Sequence, residues 1–193
     1  MKIYLFDVDG VLVCSDVFTV GIQEKFGIQK SFLDNFFKTA FSDCLIGKKD
    51  LKKVIFSYIE GSEWNYGVEE LINFWFSYEN KPNLKLLNII QDIRSRGNIC
   101  CILTNQEKYR SEYIKKTMGF EKLFDKIYTS CEIGHKKPEN DFFKNIYEDI
   151  IKTFGFIEKK EIIFYDDDIK NIESGNNFGL TSFLYSNLLS IKS

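Results

Sequence analysis

The chain has 193 residues, of which 44% are hydrophobic and 28% charged, as expected for one sizeable core or a core with a small insert. Its formal net charge of −2 excludes the basic footprint of a nucleic-acid-binding protein, and no apolar run is long enough to span a membrane. The five cysteines form no C-x-x-C motif and indicate neither a disulfide framework nor a zinc site. The N-terminus shows no signal-peptide pattern. Together with these cysteines, it predicts a reducing, cytoplasmic setting.

Short apolar runs alternate with helical patterns over most of the chain. The runs are continuous rather than alternating, which is typical of buried parallel strands. They lie at 3–6, 99–103, 126–128, 162–165 and 182–185. From residue 84 onward, apolar periodicity and terminating glycines predict helices at 84–96, 107–117, 138–154 and 169–178, with Pro138 as a first helical residue. This order predicts a doubly wound α/β fold around a parallel sheet.

Residues 15–81 break that alternation, because they contain helical patterns and no convincing strand. Gly27, Gly47, Gly61 and Gly67 divide the segment into about four predicted helices. We therefore predict a catalytic core of residues 1–14 and 82–193, with 15–81 inserted after the first strand as a helical cap. Many of the 19 phenylalanines fall in this insert and favour an aromatic helical core over the alternative, an apolar pocket wall.

Polar side chains follow the predicted strands. Asp7 and Asp9 come after the first strand and Thr104 and Asn105 after the second; Lys137 comes in the segment after the third, and Asp166 and Asp167 after the fourth. Ligands of open α/β sheets bind at the carboxyl ends of the strands, so these groups are expected to meet. Carboxylates, a hydroxyl and an ammonium suit a hard cation and a phosphate.

These four segments, in this order, resemble the signature motifs of the haloacid dehalogenase-like (HAD) hydrolases. The resemblance implies that Asp7, in the D-x-D-G-[VT] motif, is the nucleophile that forms an aspartyl-phosphate, and that Asp9 is the general acid and base. It implies that Thr104 and Lys137 bind the phosphoryl group. Mg²⁺ would be held by Asp7, by the backbone carbonyl of Asp9, and by Asp166 and Asp167.

The family contains other chemistries that the sequence weighs against. Its hydrolytic dehalogenases lack the second acid of the first motif, which is present here as Asp9. Its sugar phosphomutases place histidine and lysine in the cap, whereas this insert has no histidine, although Lys48 and Lys49 remain. A catalytically silent phosphate- or metal-binding module stays as a third alternative. We predict a Mg²⁺-dependent phosphatase.

Other residues carry weaker predictions. The turn at Gly47 and Lys48 could contact substrate, or it could be an ordinary solvated turn. Asn105 could contact phosphate or cap the following helix. His135, the only histidine, is interpreted as a loop residue, and Asp168 as a supporting or surface acid.

The ending D-D-x-x-x-N-I is similar to that of a branch that includes bacterial glucose-1-phosphate phosphatases. This resemblance implies that the substrate is a small phosphorylated metabolite such as a sugar phosphate.

Overall fold

A single parallel sheet forms the centre of the computed structural model, which describes residues 1–14, 18–27, 30–60 and 66–186. The strands are β1 (Ile3–Phe6), β2 (Ile99–Thr104), β3 (Lys126–Thr129), β4 (Ile162–Asp166) and β5 (Thr181–Leu184). Their order is β3-β2-β1-β4-β5, and all four neighbouring pairs are parallel. The predicted α/β parallel sheet is confirmed, with strand ends within one residue of those predicted.

Helices occupy most of the remaining described chain. They are α1 (Phe18–Phe26), α2 (Lys30–Thr39), α3 (Ser42–Leu45), α4 (Leu51–Ile59), α5 (Val68–Tyr78), α6 (Leu84–Ser95), α7 (Lys108–Glu112), α8 (Phe120–Leu123), α9 (Ser130–Ile133), α10 (Asn140–Phe154) and α11 (Ile169–Phe178). A π-helical turn at Tyr113–Thr117 continues α7, and a 3₁₀ turn covers Lys159–Glu161. Side chains of Asn83, Glu107 and Asp168 accept backbone N–H bonds at the starts of α6, α7 and α11.

One predicted helix start is wrong. Pro138 does not open α10, because a turn in which the Glu139 N–H donates to the Lys136 carbonyl (2.8 Å) comes first. Glu139 is extended and serves as the N-cap residue, so the helix begins at Asn140. The turn keeps Lys137 outside the helix.

Helices pack on both faces of the sheet, as the successive residues of β1 illustrate. Ile3 and Leu5 join one apolar cluster with side chains of α10 and α11, whereas Tyr4 and Phe6 join a second cluster with side chains of α6 and α8. Both faces are therefore covered, which explains why the strands read as unbroken apolar runs.

The described part of the insert contains the helices α1–α5 and no strand. Its interior is a third apolar cluster, rich in aromatic rings, in which Phe18 stacks on Trp75 with centroids 4.6 Å apart. The gap that remains among these side chains is about 20 Å³, about the room for one water molecule. The prediction of an aromatic helical core is confirmed in the described residues. The predicted break at Gly61 and the boundary at residue 15 lie outside the described residues.

The two chain connections between insert and core run side by side. The Cys14 N–H donates to the Lys81 carbonyl (3.1 Å), and the Asn83 N–H donates to the Leu12 carbonyl (2.8 Å). Asn83 Nδ2 also donates to the Tyr185 hydroxyl (3.0 Å) beyond β5. Among the described helices, none has both the length and the apolar composition of a membrane-spanning segment.

Candidate active site

The ends of β1 and β4 bring two carboxylates together. Asp7 follows β1 and donates its N–H to the Tyr165 carbonyl of β4 (3.0 Å), and Asp166 is the last residue of β4. Because the two strands are parallel neighbours in register, both side chains lie at the carboxyl edge of the sheet. Both are buried, as expected for residues that end core strands.

Lys137 enters this edge from the segment between α9 and α10. Its Nζ lies 2.9 Å from Asp7 Oδ1 and 2.6 Å from Asp166 Oδ2, and it donates to the Leu103 carbonyl at 3.0 Å. Only 3% of the residue is exposed. A cation buried so deeply is tolerated because all three ammonium hydrogens have acceptors.

Asn105 fixes the backbone of Lys137. Asn105 Oδ1 accepts the Lys137 N–H (2.8 Å), and Asn105 Nδ2 donates to the Lys137 carbonyl (3.0 Å). The alternative that Asn105 caps a helix is wrong, because Glu107 provides that cap. In this arrangement Asn105 orients the lysine that ion-pairs with Asp7.

The electrostatics of the site are those of crowded carboxylates around one ammonium. Burial raises the pKa of Asp7 to about 7, opposed by the neighbouring Lys137 and reinforced by the negative charge of Asp166. Burial opposes the charge on Lys137, but Asp7 and Asp166 raise its pKa overall. Burial and Asp166 also raise the pKa of Asp167. The site therefore favours added positive charge.

Three carboxylates in this edge could hold a cation. Oxygens of Asp7, Asp166 and Asp167 all lie within 4.8 Å of one another. Oxygen ligands and a net negative charge fit Mg²⁺. Asp166 Oδ1 is oriented by the Asp168 N–H (2.8 Å) and by Asn171 Nδ2 (3.0 Å). The Asp168 side chain caps α11 through the Lys170 N–H, in accord with a supporting role.

Gly10 lets the first loop approach Asp167. Its φ is +75°, and a Cβ placed there would overlap the Asp167 carboxylate. A glycine therefore satisfies both the left-handed backbone and the close approach. The glycine of the D-x-D-G segment thus has a packing role in the carboxylate cluster.

Asp9 lies beside this cluster, with 54% of its side chain exposed. Gln106 Nε2 donates to Asp9 Oδ2 at 2.6 Å, and Arg110 Nη2 lies 3.6 Å from Asp9 Oδ1. Its side chain is not among the three carboxylates that cluster in the described residues. Coordination by its backbone carbonyl stays a prediction.

Thr104 is buried at the end of β2, with 1% of its surface exposed. Gln106 Nε2 lies 3.4 Å from Thr104 Oγ1, so the same amide that binds Asp9 also contacts this hydroxyl. The first two predicted motifs are therefore linked. Phosphate binding by Thr104 stays a prediction.

The Gly47 turn approaches the core next to the predicted site. Gly47 has a φ of +71°, and a Cβ there would lie 2.5 Å from the Cys131 carbonyl oxygen. Ser130 Oγ donates to the Leu45 carbonyl (2.6 Å), and Lys136 Nζ to Ser42 Oγ (2.6 Å). Lys48 is exposed on this turn, and its contact with substrate stays a prediction.

Outside the turn, His135 pairs with Glu139 (3.2 Å) on a loop, in accord with its interpretation.

Sequence reasoning did not find the roles of Gln106, Arg110 and Glu79. Burial raises the pKa of Glu79 to about 7, although Arg110 opposes the shift. Arg110 lies in α7 with 1% of its side chain exposed, where a charged helical residue would ordinarily be read as solvated. Only the position of Gln106, directly after the Thr104-Asn105 pair, gave a signal.

Comparison with known proteins relates the chain to a family. A profile of the haloacid dehalogenase-like hydrolases matches residues 1–179. A HAD family enzyme from Bacteroides thetaiotaomicron, crystallised with magnesium and inorganic phosphate, has a TM-score of 0.81 over 96% of this chain and 94% of that chain, at 22% identity. L-2-haloacid dehalogenase from Xanthobacter autotrophicus has a TM-score of 0.67 over 94% and 76%, at 13% identity. At these identities, the similarity is one of fold.

One curated relative is a phosphatase. D-ribitol-5-phosphate phosphatase from Bacteroides thetaiotaomicron is 25% identical over 122 residues, which cover 60% of this chain and 56% of that protein. A match to rat bifunctional epoxide hydrolase 2 covers 36% of that protein at 21% identity. The chain thus spans little more than half the length, or less, of these relatives.

Proposed function

The chain belongs to the haloacid dehalogenase-like hydrolase family, and on that premise we propose that it hydrolyses phosphate monoesters of small metabolites in a Mg²⁺-dependent reaction. One observation carries this proposal. Lys137 Nζ lies between the carboxylates of Asp7 and Asp166, which belong to a cluster of three acids at the carboxyl edge of the sheet. The three carboxylates provide the oxygen ligands that a hard cation needs, and the Lys137 ammonium provides a positive charge for a phosphate.

The charge balance explains why these groups occur together. A carboxylate that attacks a phosphate dianion meets a repulsion of roughly 4 kcal/mol for each unit of phosphate charge, at about 4 Å and an effective dielectric of about 20. Lys137 supplies one fixed positive charge next to Asp7. The carboxylates of Asp7, Asp166 and Asp167, with the backbone carbonyl of Asp9, would hold Mg²⁺. When bound, Mg²⁺ supplies the further positive charge that lowers this repulsion.

The proposed reaction has two steps. Asp7 attacks phosphorus, the bond from phosphorus to the ester oxygen breaks, and Asp9 gives its proton to that oxygen. Asp9 then takes a proton from water, whose oxygen attacks the aspartyl-phosphate, and phosphate and free Asp7 are formed. Thr104 and Lys137 hold the phosphoryl oxygens through both steps.

Asp9 supports phosphatase chemistry over dehalogenation. A dehalogenase of similar fold is among the solved structures, but halide needs no proton to leave, whereas an alkoxide does. An acid two residues after the nucleophile, exposed enough to reach a leaving group, fits a phosphate ester.

A sugar phosphate is the proposed kind of substrate. The similarity to a D-ribitol-5-phosphate phosphatase supports it, as does exposed Lys48 on the turn that packs against the core. The five free cysteines support the proposed reducing, cytoplasmic setting.

The test is the release of phosphate from p-nitrophenyl phosphate and from a panel of sugar and sugar-alcohol phosphates. We expect turnover with Mg²⁺, its loss in EDTA and its return when Mg²⁺ is added in excess. Asp7→Asn should abolish turnover, whereas the matched control Asp168→Asn should keep most of it, because Asp168 caps a helix. Full activity in EDTA, or an Asp7→Asn variant with the wild-type rate, would contradict the proposal.

A further inference from the structure

Arg110 is a buried cation at the junction of core and insert. It lies in α7, the helix that follows the second predicted motif, with 1% of its side chain exposed. Its Nη1 donates to the Phe76 carbonyl of α5 (3.2 Å), and its guanidinium carbon lies 5.5 Å from the Phe76 ring centroid. Burying a guanidinium is unfavourable unless charged partners compensate it.

The second terminal nitrogen of Arg110 lies between two carboxylates. Nη2 is 3.4 Å from Glu79 Oε2 in the insert and 3.6 Å from Asp9 Oδ1 in the core. Within the described part of the chain, this nitrogen is buried and makes no hydrogen bond. The N–H groups of Arg110 Nη2 are therefore available to donate to the carboxylate of either Glu79 or Asp9.

Glu79 is itself held in place. Trp75 Nε1 donates to Glu79 Oε2 at 2.7 Å, and only 16% of the Glu79 side chain is exposed. The acid on the insert side is therefore the fixed partner of Arg110, and Asp9, which is 54% exposed, is the adjustable one.

Gln106 and Arg110 approach different oxygens of the Asp9 carboxylate. Gln106 donates to Oδ2 at 2.6 Å, and Arg110 faces Oδ1 at 3.6 Å. A hydrogen bond to one carboxylate oxygen and a guanidinium charge facing the other restrict the rotation of Asp9 more than the hydrogen bond alone would. An acid that must serve first a leaving group and then a water needs such restriction.

We propose that Arg110 is a positioning residue for Asp9, and that Glu79 and Phe76 of the insert fix Arg110 for that purpose. The proposal rests on the proposed function, in which Asp9 is the general acid and base. Its consequence is that the acid–base group of the core depends on contacts from the insert, and not only on the loop that carries it.

The experiment is a mutant cycle measured as Mg²⁺-dependent turnover of p-nitrophenyl phosphate and an alkyl phosphate. Arg110→Met is combined with Glu79→Gln, so that no unpaired acid stays buried, and is compared with Glu79→Gln alone. Adding Arg110→Met should lower kcat by about 10- to 100-fold with little change in KM. The loss should be larger for the alkyl phosphate, whose leaving oxygen needs a proton.

The decisive comparison repeats this cycle in an Asp9→Asn background. If Arg110 acts through Asp9, the loss caused by Arg110→Met should disappear there. A loss of kcat that persists in that background overturns the positioning role, and so does the absence of a loss when Asp9 is present. Either result counts when all variants unfold at the wild-type temperature, because the fold is then intact. A wild-type protein without Mg²⁺-dependent turnover would instead overturn the proposed function itself.

Discussion

The core and the insert bury different kinds of side chain. At the carboxyl edge of the core sheet, Asp7, Lys137 and Asp166 are buried together as charged groups. The insert buries an aromatic cluster that includes Phe36 and Trp75. Parallel strands that end at one edge bring polar groups together, whereas helices packed by ring volume leave few polar groups inside. The difference shows that the insert approaches Asp9 at its border with the core, where Glu79 pairs with Arg110, and not with its aromatic interior.

Substitutions of the neighbouring residues Lys136 and Lys137 test this difference between core and insert most strongly. Lys137→Met should lower kcat/KM by about 10³-fold, because it removes the ammonium that lies between Asp7 and Asp166. Lys136→Met is the matched control, since Lys136 Nζ bonds Ser42 of the insert. Its effect should not exceed about fivefold, which corresponds to the loss of one hydrogen bond. Steady-state kinetics with p-nitrophenyl phosphate measures both; equal losses would mean that the charge of the site is not concentrated in Lys137.

Removing an aromatic ring tests the separateness of the two interiors. Phe36 is 4% exposed and packs against Phe37 and Tyr58 at ring distances of 5.1 and 5.2 Å. Phe36→Ala should destabilise the insert by about 3–5 kcal/mol. Hydrogen exchange should then accelerate in α1–α5 while β1 and β4 stay protected. Phe56→Ala, which truncates a 58% exposed ring, is the control. Equal acceleration throughout the sheet would show that insert and core unfold as one unit.

Substitution of Glu79, at the border between insert and core, has the smallest predicted effect, and its effect on stability depends on pH. Burial raises the pKa of Glu79 from 4.5 to about 7, so the folded protein binds this proton more tightly than the unfolded chain does. The resulting stability is present below pH 4.5 and is lost as the pH rises through 7. Relative to Glu79→Gln, the wild-type free energy of unfolding should fall by roughly 2–3 kcal/mol over this range. Denaturant titrations at several pH values measure it, with exposed Glu121→Gln as the control. A pH-independent difference between wild type and Glu79→Gln would contradict this account.

Much of the core could be predicted from the sequence. Strands buried on both faces leave continuous apolar runs, and the predicted helix 169–178 was confirmed as α11 between Asp168 and Gly179. The charged residues of the site could be anticipated because the ends of parallel strands converge. The start of α10 could not, since the turn before Asn140 depends on a hydrogen bond between Glu139 and Lys136.

The border between core and insert could not be predicted for a physical reason. Arg110 and Glu79 are 31 positions apart and pair only because α5 and α7 pack together, which no local pattern records. Each is a charged residue in or next to a helix, and that pattern ordinarily indicates a solvated surface. Gln106 differs, because it follows Thr104 and Asn105 in the sequence and could be placed near the site from that position. Its contact with Asp9 required the structure.

The proposed mechanism requires that Asp7 carries the phosphoryl group during turnover. The most direct measurement is peptide mass mapping of the Asp9→Asn variant, quenched in acid during turnover of p-nitrophenyl phosphate with Mg²⁺. This leaving group needs little protonation, so the first step should proceed while hydrolysis of the intermediate is slow. We predict a phosphoryl group on the peptide that contains Asp7 and none in the Asp7→Asn protein. Turnover without such a group, or a phosphoryl group on another residue, would contradict the account.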